Sequence, residues 1–360
     1  MQKDEKFMRI ALELAQKGMP SPSPKVGCVI VKNGKIVGEG HHRFFGDYHA
    51  EIHALAQAGK KARGAIAYST LEPCALPNEK SHACTTALIN AGIKRVVFGS
   101  KDHNPIEEGR GKATLEKAGI NVKTGVLEDA CEQLVESYTR YITTKKPFVI
   151  LHSAMSLDGR IATKTGESKY ISGKESLRHV HKLRDNVDAI LIGINTVLKD
   201  NPYLTSRKKG GKDPLRVILD SKLRIPTDAN VLQDENALVV ATEGHDKKTM
   251  TELKKKRIDV FIAKSKNNRI DLNDLMTFLG KKGISSLLVE GGSSVSASFI
   301  KEKLVDKFLV TIAPKIIGGD GIPIIESLGI EKLFDVVRVD IKTISRVGKD
   351  IIIESYVKKS

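Results

Sequence analysis

The chain contains no tryptophan, and its 360 residues include only seven tyrosines and ten phenylalanines. So few rings do not suggest a base-stacking platform for single-stranded nucleic acid. Cysteine is also scarce. Cys28, Cys74, Cys84 and Cys131 are too few for a disulfide framework. No run of 18 or more apolar residues occurs, so no membrane span is expected. The opening stretch, MQKDEKFMRIALELAQKG, is charged and amphipathic and lacks the apolar core of a secretory signal. It reads as a helix of the mature fold, which makes the chain's expected compartment the cytoplasm.

What is present is ordinary for a globular protein: 40% hydrophobic and 28% charged residues. The formal net charge of +16 admits a nucleic-acid partner or an anionic, phosphorylated ligand. The lysines, however, lie in short scattered groups (60-KKAR-63, 253-LKKKR-257) and form no continuous basic stripe. A lysine-rich composition accounts for them, and neither a nucleic-acid nor a membrane partner is expected.

The length favours two domains. Between residue 4 and about residue 142, helical and strand-like segments alternate, with a hairpin signal at Asn33-Gly34 between strands at 26–32 and 36–41. The polar stretch 143-TTKKP-147 reads as a linker. Beyond it, strands are expected at 148–154, 187–192, 215–219, 237–241, 258–262, 285–290, 307–313 and 350–356, and helices at 174–184, 247–256, 271–280 and 293–303. The class is α/β in both halves, with domains expected over 1–144 and 147–360.

Three pieces of the first half carry chemistry: 49-HAE-51, 72-EPC-74 and Cys84. His49, Cys74 and Cys84 can supply three zinc ligands and leave the fourth tetrahedral position open, as catalytic zinc requires. Glu51 is placed to take a proton from a zinc-activated water and deliver it to a leaving amine. HAEIH is not the H-E-x-x-H protease helix, because its glutamate is two residues along from the first histidine. His53 then reads as a polar helix residue or a substrate contact. Two rivals remain for the cysteines. One is a redox pair, although nothing adjacent in sequence would activate it. The other is a structural zinc site with His82 as fourth ligand. Cys28 and Cys131 read as small buried hydrophobes.

In the second half, 289-VEGGSSVSAS-298 is a strand running through Gly-Gly into a serine-rich helix, a ready anion site at a helix N-terminus. Arg184 and Arg207 could each fork onto a phosphate or form a surface salt bridge. Asp200, before Asn201-Pro202, could cap a turn.

The order H-A-E, P-C, Cys resembles the zinc-dependent nucleobase deaminases. The surrounding text, including 21-SPSPKVGCVIV-31, 70-TLEPC-74, 102-DHNP-105 and 109-GRG-111, narrows the match. With 153-SAMSLDGRIAT-163, 181-HKLRDNVDAILIGINTVLKDNPYLTSR-207 and 289-VEGGSSV-295, it resembles the bifunctional riboflavin-biosynthesis deaminase/reductase family from about residue 4 to residue 355. The resemblance implies a cytidine-deaminase-like three-layer domain followed by a dihydrofolate-reductase-like domain. It also implies zinc, NADPH and a phosphorylated pyrimidine substrate. Ser168, Arg184, Leu204 and Arg207 would hold the ribose-phosphate, with Glu290 nearby. Ala154, Tyr170, Thr196, Asp200, Ser221 and the turn Gly291, Gly292, Ser293, Ser294 would line the NADPH site. Asp200 would also stand near the reacting ribose carbon as a candidate proton donor. A homo-oligomer is the family's habit.

Four positions depart from the family pattern. Ser23 in 22-PSP-24 replaces an asparagine. The inter-cysteine segment ALPNEKSHA puts Leu76 where a histidine contacts substrate, unless Asn78 or His82 takes that place. His152 stands for a common lysine, and Tyr170 for a common tryptophan. Two further functions stay open: a deaminase acting on flipped nucleic-acid bases, and a non-catalytic zinc module attached to a working reductase.

Overall fold

The computed structural model describes residues 2–77, 82–207 and 211–358. The chain forms two compact units, Met1–Lys146 and Pro147–Ser360.

In the first unit, α1 (Gln2–Ala15) is followed by β1 (Gly27–Lys32), β2 (Lys35–His41), α2 (Ala50–Ala58) and β3 (Ile66–Leu71). Then come α3 (Cys84–Asn90), β4 (Arg95–Ser100), α4 (Arg110–Lys117), β5 (Asn121–Lys123) and α5 (Glu128–Thr144). The sheet order is β2-β1-β3-β4-β5. β1 runs antiparallel to both neighbours, and β3, β4 and β5 are parallel. Asn33 and Gly34 both take positive φ, 50° and 77°, the geometry an Asn-Gly hairpin turn needs.

Alternation along the strands divides the core. Val29, Val31, Tyr68 and Val97 face Phe7, Met8 and Ala11 of α1. Cys28, Ile30, Val96 and Phe98 face Ala50 and Ala54 of α2 and Leu88 of α3. Each fully buried large apolar side chain here contributes roughly 1.5–3 kcal/mol. Cys28 and Cys131 are buried apolar fill, as their sequence context indicated. Gly40 lets α2 lie tight on β2, because a Cβ there would collide with the Ala50 carbonyl oxygen. The start of α2, and with it His49 and Glu51, is thereby fixed against the sheet. Asp4 of α1 ties that helix to the same sheet, accepting from Tyr68 (3.0 Å), Arg95 (3.0 Å) and Lys123 (2.7 Å). Burial works to raise the Asp4 carboxyl, and these three donors together hold it below its ordinary value.

The second unit opens with β6 (Phe148–Ser156), β7 (Arg160–Ala162), α6 (Lys174–Asp185), β8 (Ala189–Gly193) and α7 (Ile194–Asp200). It continues with β9 (Leu215–Leu219), β10 (Ala237–Ala241), α8 (Lys247–Lys255), β11 (Asp259–Ile262), β12 (Ser265–Lys266), β13 (Arg269–Ile270) and α9 (Leu272–Lys281). It closes with β14 (Ser286–Val289), α10 (Ser293–Lys301), β15 (Lys307–Ala313), β16 (Ile322–Pro323), β17 (Val339–Val347) and β18 (Asp350–Val357). The main sheet runs β11-β10-β9-β8-β14-β6-β15-β18-β17. Its first seven strands are parallel, and β18 and β17 add an antiparallel edge. Both faces are covered, which is why these strands read as continuous apolar runs. Leu275, Met276 and Leu279 of α9 and Phe299 of α10 cover one face. Val197 of α7 and Leu253 of α8 cover the other.

The α/β class expected from the pattern is the one observed. Three local readings need correction. Thr143 and Thr144 belong to α5 and not to a linker. Their hydroxyls bond back to the Thr139 and Arg140 carbonyls (2.7 and 2.6 Å), which keeps two polar residues inside the helix. Asp200 caps no turn. Asn201 does, with φ 41° and its side-chain oxygen accepting from the Asn230 N–H at 2.8 Å. The elements β5, α7 and β17, and the short strands β7, β12, β13 and β16, were not expected at all. Among the described residues no helix is long and apolar enough to cross a membrane.

Candidate active sites

Three element ends meet in the first unit. His49 is the residue before α2, Cys84 is the first residue of α3, and Cys74 lies three residues past β3. Their donor atoms lie within 4.8 Å of one another. The His49 Nδ1 is 3.3 Å from the Cys84 sulfur and 3.5 Å from the Cys74 sulfur. A tetrahedral zinc with ordinary Zn–N and Zn–S bonds sets such atoms about 3.6 Å apart, so the donor set fits that ion. His82 is exposed and is not part of this group. Asn78 lies outside the described residues.

The sequence offered nothing to activate Cys74, but the folded chain does. The hydrogen bond with Cys84 pulls the Cys74 thiol down to about 6, and His49 adds to it. The same bond, burial and Glu51 push Cys84 well up. His49 is raised, first by its bond to Cys74. A bound cation would take all three groups deprotonated, as thiolates and a neutral imidazole, and so would release protons on binding.

Glu51 is 3% exposed and accepts from the Ser69 hydroxyl at 2.9 Å. It borders a cavity of ≈ 320 Å³ together with Ser23, His42, His49, Cys74 and Asn104. His42 donates through Nδ1 to the Pro24 carbonyl (3.3 Å), and burial lowers it to about 4, so its ring is neutral. His53 points elsewhere, 3.0 Å from Asp47. Leu76 is 37% exposed and does not border the cavity, so it does not stand in for a histidine contact.

Sequence reasoning missed the carboxylates that frame this site. Glu72 accepts from the backbone of Lys112 (2.8 Å), Gly109 (3.3 Å) and Asp102 (3.4 Å). Asp102 accepts from Tyr138 (3.1 Å) and from the Asn104 N–H (2.8 Å). Carboxylates that serve backbone N–H groups follow no spacing rule. In the sequence, 102-DHNP-105 and 109-GRG-111 marked this segment only through the family resemblance.

In the second unit the remaining residues gather at the C-terminal ends of the parallel strands, where open α/β sheets bind ligands. Ala154 is near the end of β6, Thr196 and Asp200 are on α7, Ser221 follows β9 and Glu290 follows β14. Ser168 and the 68% exposed Tyr170 lie on the segment before α6. Arg184 forks onto Glu290 with two bonds, 3.2 and 2.6 Å, in a largely buried pair. Burial works to raise Glu290, and Arg184 holds it below its ordinary value. Arg184 therefore makes a salt bridge, but not a surface one. Arg207 is exposed, while Leu204 buries its side chain and leaves only backbone for a ligand. Asp200 pairs with Lys169 at 3.5 Å. His152 is buried 3.4 Å from the Thr311 hydroxyl, and burial keeps its ring neutral. At the N-terminus of α10, after Gly291 and Gly292, the Ser293 hydroxyl is buried without a protein partner among the described residues. An orphaned hydroxyl beside free helix N–H groups fits the phosphate of a cofactor.

The fold and the His/Cys/Cys site define a zinc-type pyrimidine deaminase unit followed by an α/β reductase unit. Comparison with known proteins agrees. The model for the cytidine and deoxycytidylate deaminase zinc-binding region matches residues 1–100, and that for the RibD C-terminal domain matches residues 147–353. The riboflavin biosynthesis protein RibD of Actinobacillus pleuropneumoniae is 40% identical over 359 residues, covering 98% of this chain and 95% of that protein. The solved Acinetobacter baumannii RibD (form 1) superposes with a TM-score of 0.87 at 33% identity, covering 99% of each chain. A diaminohydroxyphosphoribosylaminopyrimidine deaminase/5-amino-6-(5-phosphoribosylamino)uracil reductase from Thermotoga maritima gives 0.85 at 35%, also over 99% of each. The chain belongs to the RibD family of bifunctional riboflavin-biosynthesis enzymes, with a deaminase and a reductase domain acting on small molecules.

Proposed function

We propose that the first domain, 1–144, hydrolytically deaminates 2,5-diamino-6-ribosylamino-4(3H)-pyrimidinone 5′-phosphate, and that the second, 147–360, reduces the ribosyl chain of the product to ribityl with NADPH. The observation that carries this reading is the convergence of His49, Cys74 and Cys84 beside the buried Glu51, in a family of deaminase/reductases. His49, Cys74 and Cys84 would hold zinc, which supplies a hydrolytic water that is acidic at neutral pH. Glu51 takes the proton of that water and passes it to the departing amine, so that ammonia leaves. The Ser69 hydroxyl fixes the carboxylate while it does so. The cavity beside Glu51 takes the pyrimidine, with Ser23 on its wall in place of an amide.

In the reductase domain, Ser168, Arg184, Leu204 and Arg207 are assigned to the ribose-phosphate. The part of Glu290 is to hold Arg184 in place. Ala154, Tyr170, Thr196, Ser221 and the 291–294 turn are assigned to NADPH, which supplies hydride to the ribosyl carbon. Asp200, beside that carbon, is the candidate proton donor. The test uses purified protein and the diaminopyrimidinone phosphate. Ammonia release and NADPH oxidation are both expected, and His49→Ala is expected to abolish the first and keep the second on deaminated substrate. Ammonia release by His49→Ala at the wild-type rate would remove the zinc assignment.

The same reading places the enzyme in the cytoplasm as a homo-oligomer. Supporting self-association, the edge strand β17 exposes Val339, Ile341 and Ile344, and the residues before it expose Leu333 (89%) and Phe334 (84%). Uncovered apolar edges of this kind are sites of association. Light scattering of the purified protein is expected to give at least twice the chain mass, falling toward one chain in Ile341→Lys/Ile344→Lys. A wild-type protein that elutes as a single chain at micromolar concentration removes the oligomer from the proposal.

A further inference from the structure

The inter-cysteine loop departs from the family pattern from its first residues, yet the backbone of those residues is firmly held. The Ala75 N–H donates to the Glu107 Oε2 at 2.8 Å, and the Leu76 N–H donates to its Oε1 at 3.3 Å. Both amides come immediately after Cys74, so one carboxylate serves two consecutive donors beside a metal-binding position. Glu107 is itself 9% exposed and borders the cavity.

The brace runs in both directions. Glu72, two residues before Cys74, reaches across to the backbone of Asp102, Gly109 and Lys112. Glu107, from within that same segment, reaches back to the residues after Cys74. Cys74 thus sits between two carboxylate clamps of opposite direction. The Glu107 end is in turn anchored. Its own N–H bonds to the Asn104 carbonyl at 2.8 Å, Asn104 bonds to Asp102, and Asp102 bonds to Tyr138 of α5. On its other side, the Cys74 carbonyl accepts from both the N–H and the hydroxyl of Thr85 on α3, each at 3.2 Å.

We propose that Glu107 is a positioning residue for the metal centre, clamping the 75–76 backbone so that the Cys74 sulfur stays aligned with His49 and Cys84. The proposal rests on the zinc reading of those three residues. In this role Glu107 acts through the 75–76 backbone, to which both of its carboxylate oxygens are bonded. It holds the first two residues of a loop, Ala75 and Leu76, whose own side chains are apolar. Residues that orient a ligand from behind typically change metal affinity about 10–100-fold when removed.

Glutamine is the informative substitution. It preserves the size of the side chain, but an N–H₂ group replaces one of the two oxygens and faces one of the two N–H donors. The experiment follows zinc release from the full-length zinc-loaded protein to a chromogenic chelator, with urea unfolding as the control for the fold. Glu107→Ala and Glu107→Gln are expected to release zinc about 10–100-fold faster than wild type. Glu108→Gln, its exposed neighbour, is expected to match wild type. Deamination in the Glu107 variants is expected to lose kcat when zinc is limiting and to regain it with added zinc, with KM little changed. Release within about twofold of wild type from both Glu107 variants, with the unfolding midpoint unchanged, overturns the proposal. If wild type itself holds no zinc, the underlying metal reading fails as well. If only Cys74→Ser loses zinc and the Glu107 variants do not, that reading stands and the clamp alone is wrong.

Discussion

Glu51→Gln is expected to lower ammonia release by about 10²–10⁴-fold, the usual contribution of a positioned acid–base group. Zinc content and NADPH oxidation on the deaminated substrate are expected to stay at wild-type levels. The size of the effect follows from the position of the side chain. Glu51 is almost fully buried, so bulk water cannot carry its proton at a comparable rate. Its hydrogen bond from Ser69 would persist to the glutamine carbonyl oxygen, so the variant keeps the shape of the site and loses only the ability to take a proton. Colorimetric ammonia release measured beside zinc stoichiometry separates the two effects. Ammonia release within tenfold of wild type in a zinc-replete Glu51→Gln protein would show that another group carries the proton.

The features that sequence exposed are those that local chemistry dictates. Asn33-Gly34 needs left-handed backbone at both positions, and few other residue pairs accept it. The parallel strands β8, β9 and β10 are nearly pure Val, Ile, Leu and Ala because helices cover both of their faces. His49, Cys74 and Cys84 stood out because each lies at the end of an element, where a short side chain reaches the same point in space. The segments that escaped notice lack such signals. The seven-residue α7 is too short to show a helical stripe. The strand β17 exposes most of both its faces at a sheet edge and so shows no buried alternation. The braces around Cys74 were invisible for a different reason. Glu72 and Glu107 bond to main-chain N–H groups, so no partner side chain marks them in the sequence. Arg184 and Glu290 are 106 positions apart, and only the fold brings β14 beside the end of α6.

The largest effect expected in the reductase domain comes from that pair. Arg184→Ala leaves the Glu290 carboxylate largely buried and unpaired, and the loss of one partner of a buried ion pair costs about 3–5 kcal/mol. In a unit of this size that corresponds to a fall of roughly 6–20 °C in the midpoint of thermal unfolding. Glu290→Gln strands the guanidinium in the same way and is expected to cost a similar amount. Neither single variant separates a structural role from a functional one, because an unfolded reductase also fails to oxidise NADPH. The double variant Arg184→Met/Glu290→Leu makes that separation, since apolar side chains can replace a buried ion pair without loss of stability. Its thermal midpoint is expected to return close to wild type. Its NADPH oxidation is expected to remain at least tenfold down in kcat/KM, mostly through KM, because the fork that would meet the ribose-phosphate is gone. If the double variant regains both stability and wild-type kcat/KM, the Arg184–Glu290 pair serves the fold alone. The phosphate would then fall to Arg207, Ser168 and the backbone at Leu204. Ammonia release by the same proteins, followed below the lowered midpoint, is expected to be unaffected, since His49, Glu51, Cys74 and Cys84 all belong to the other unit.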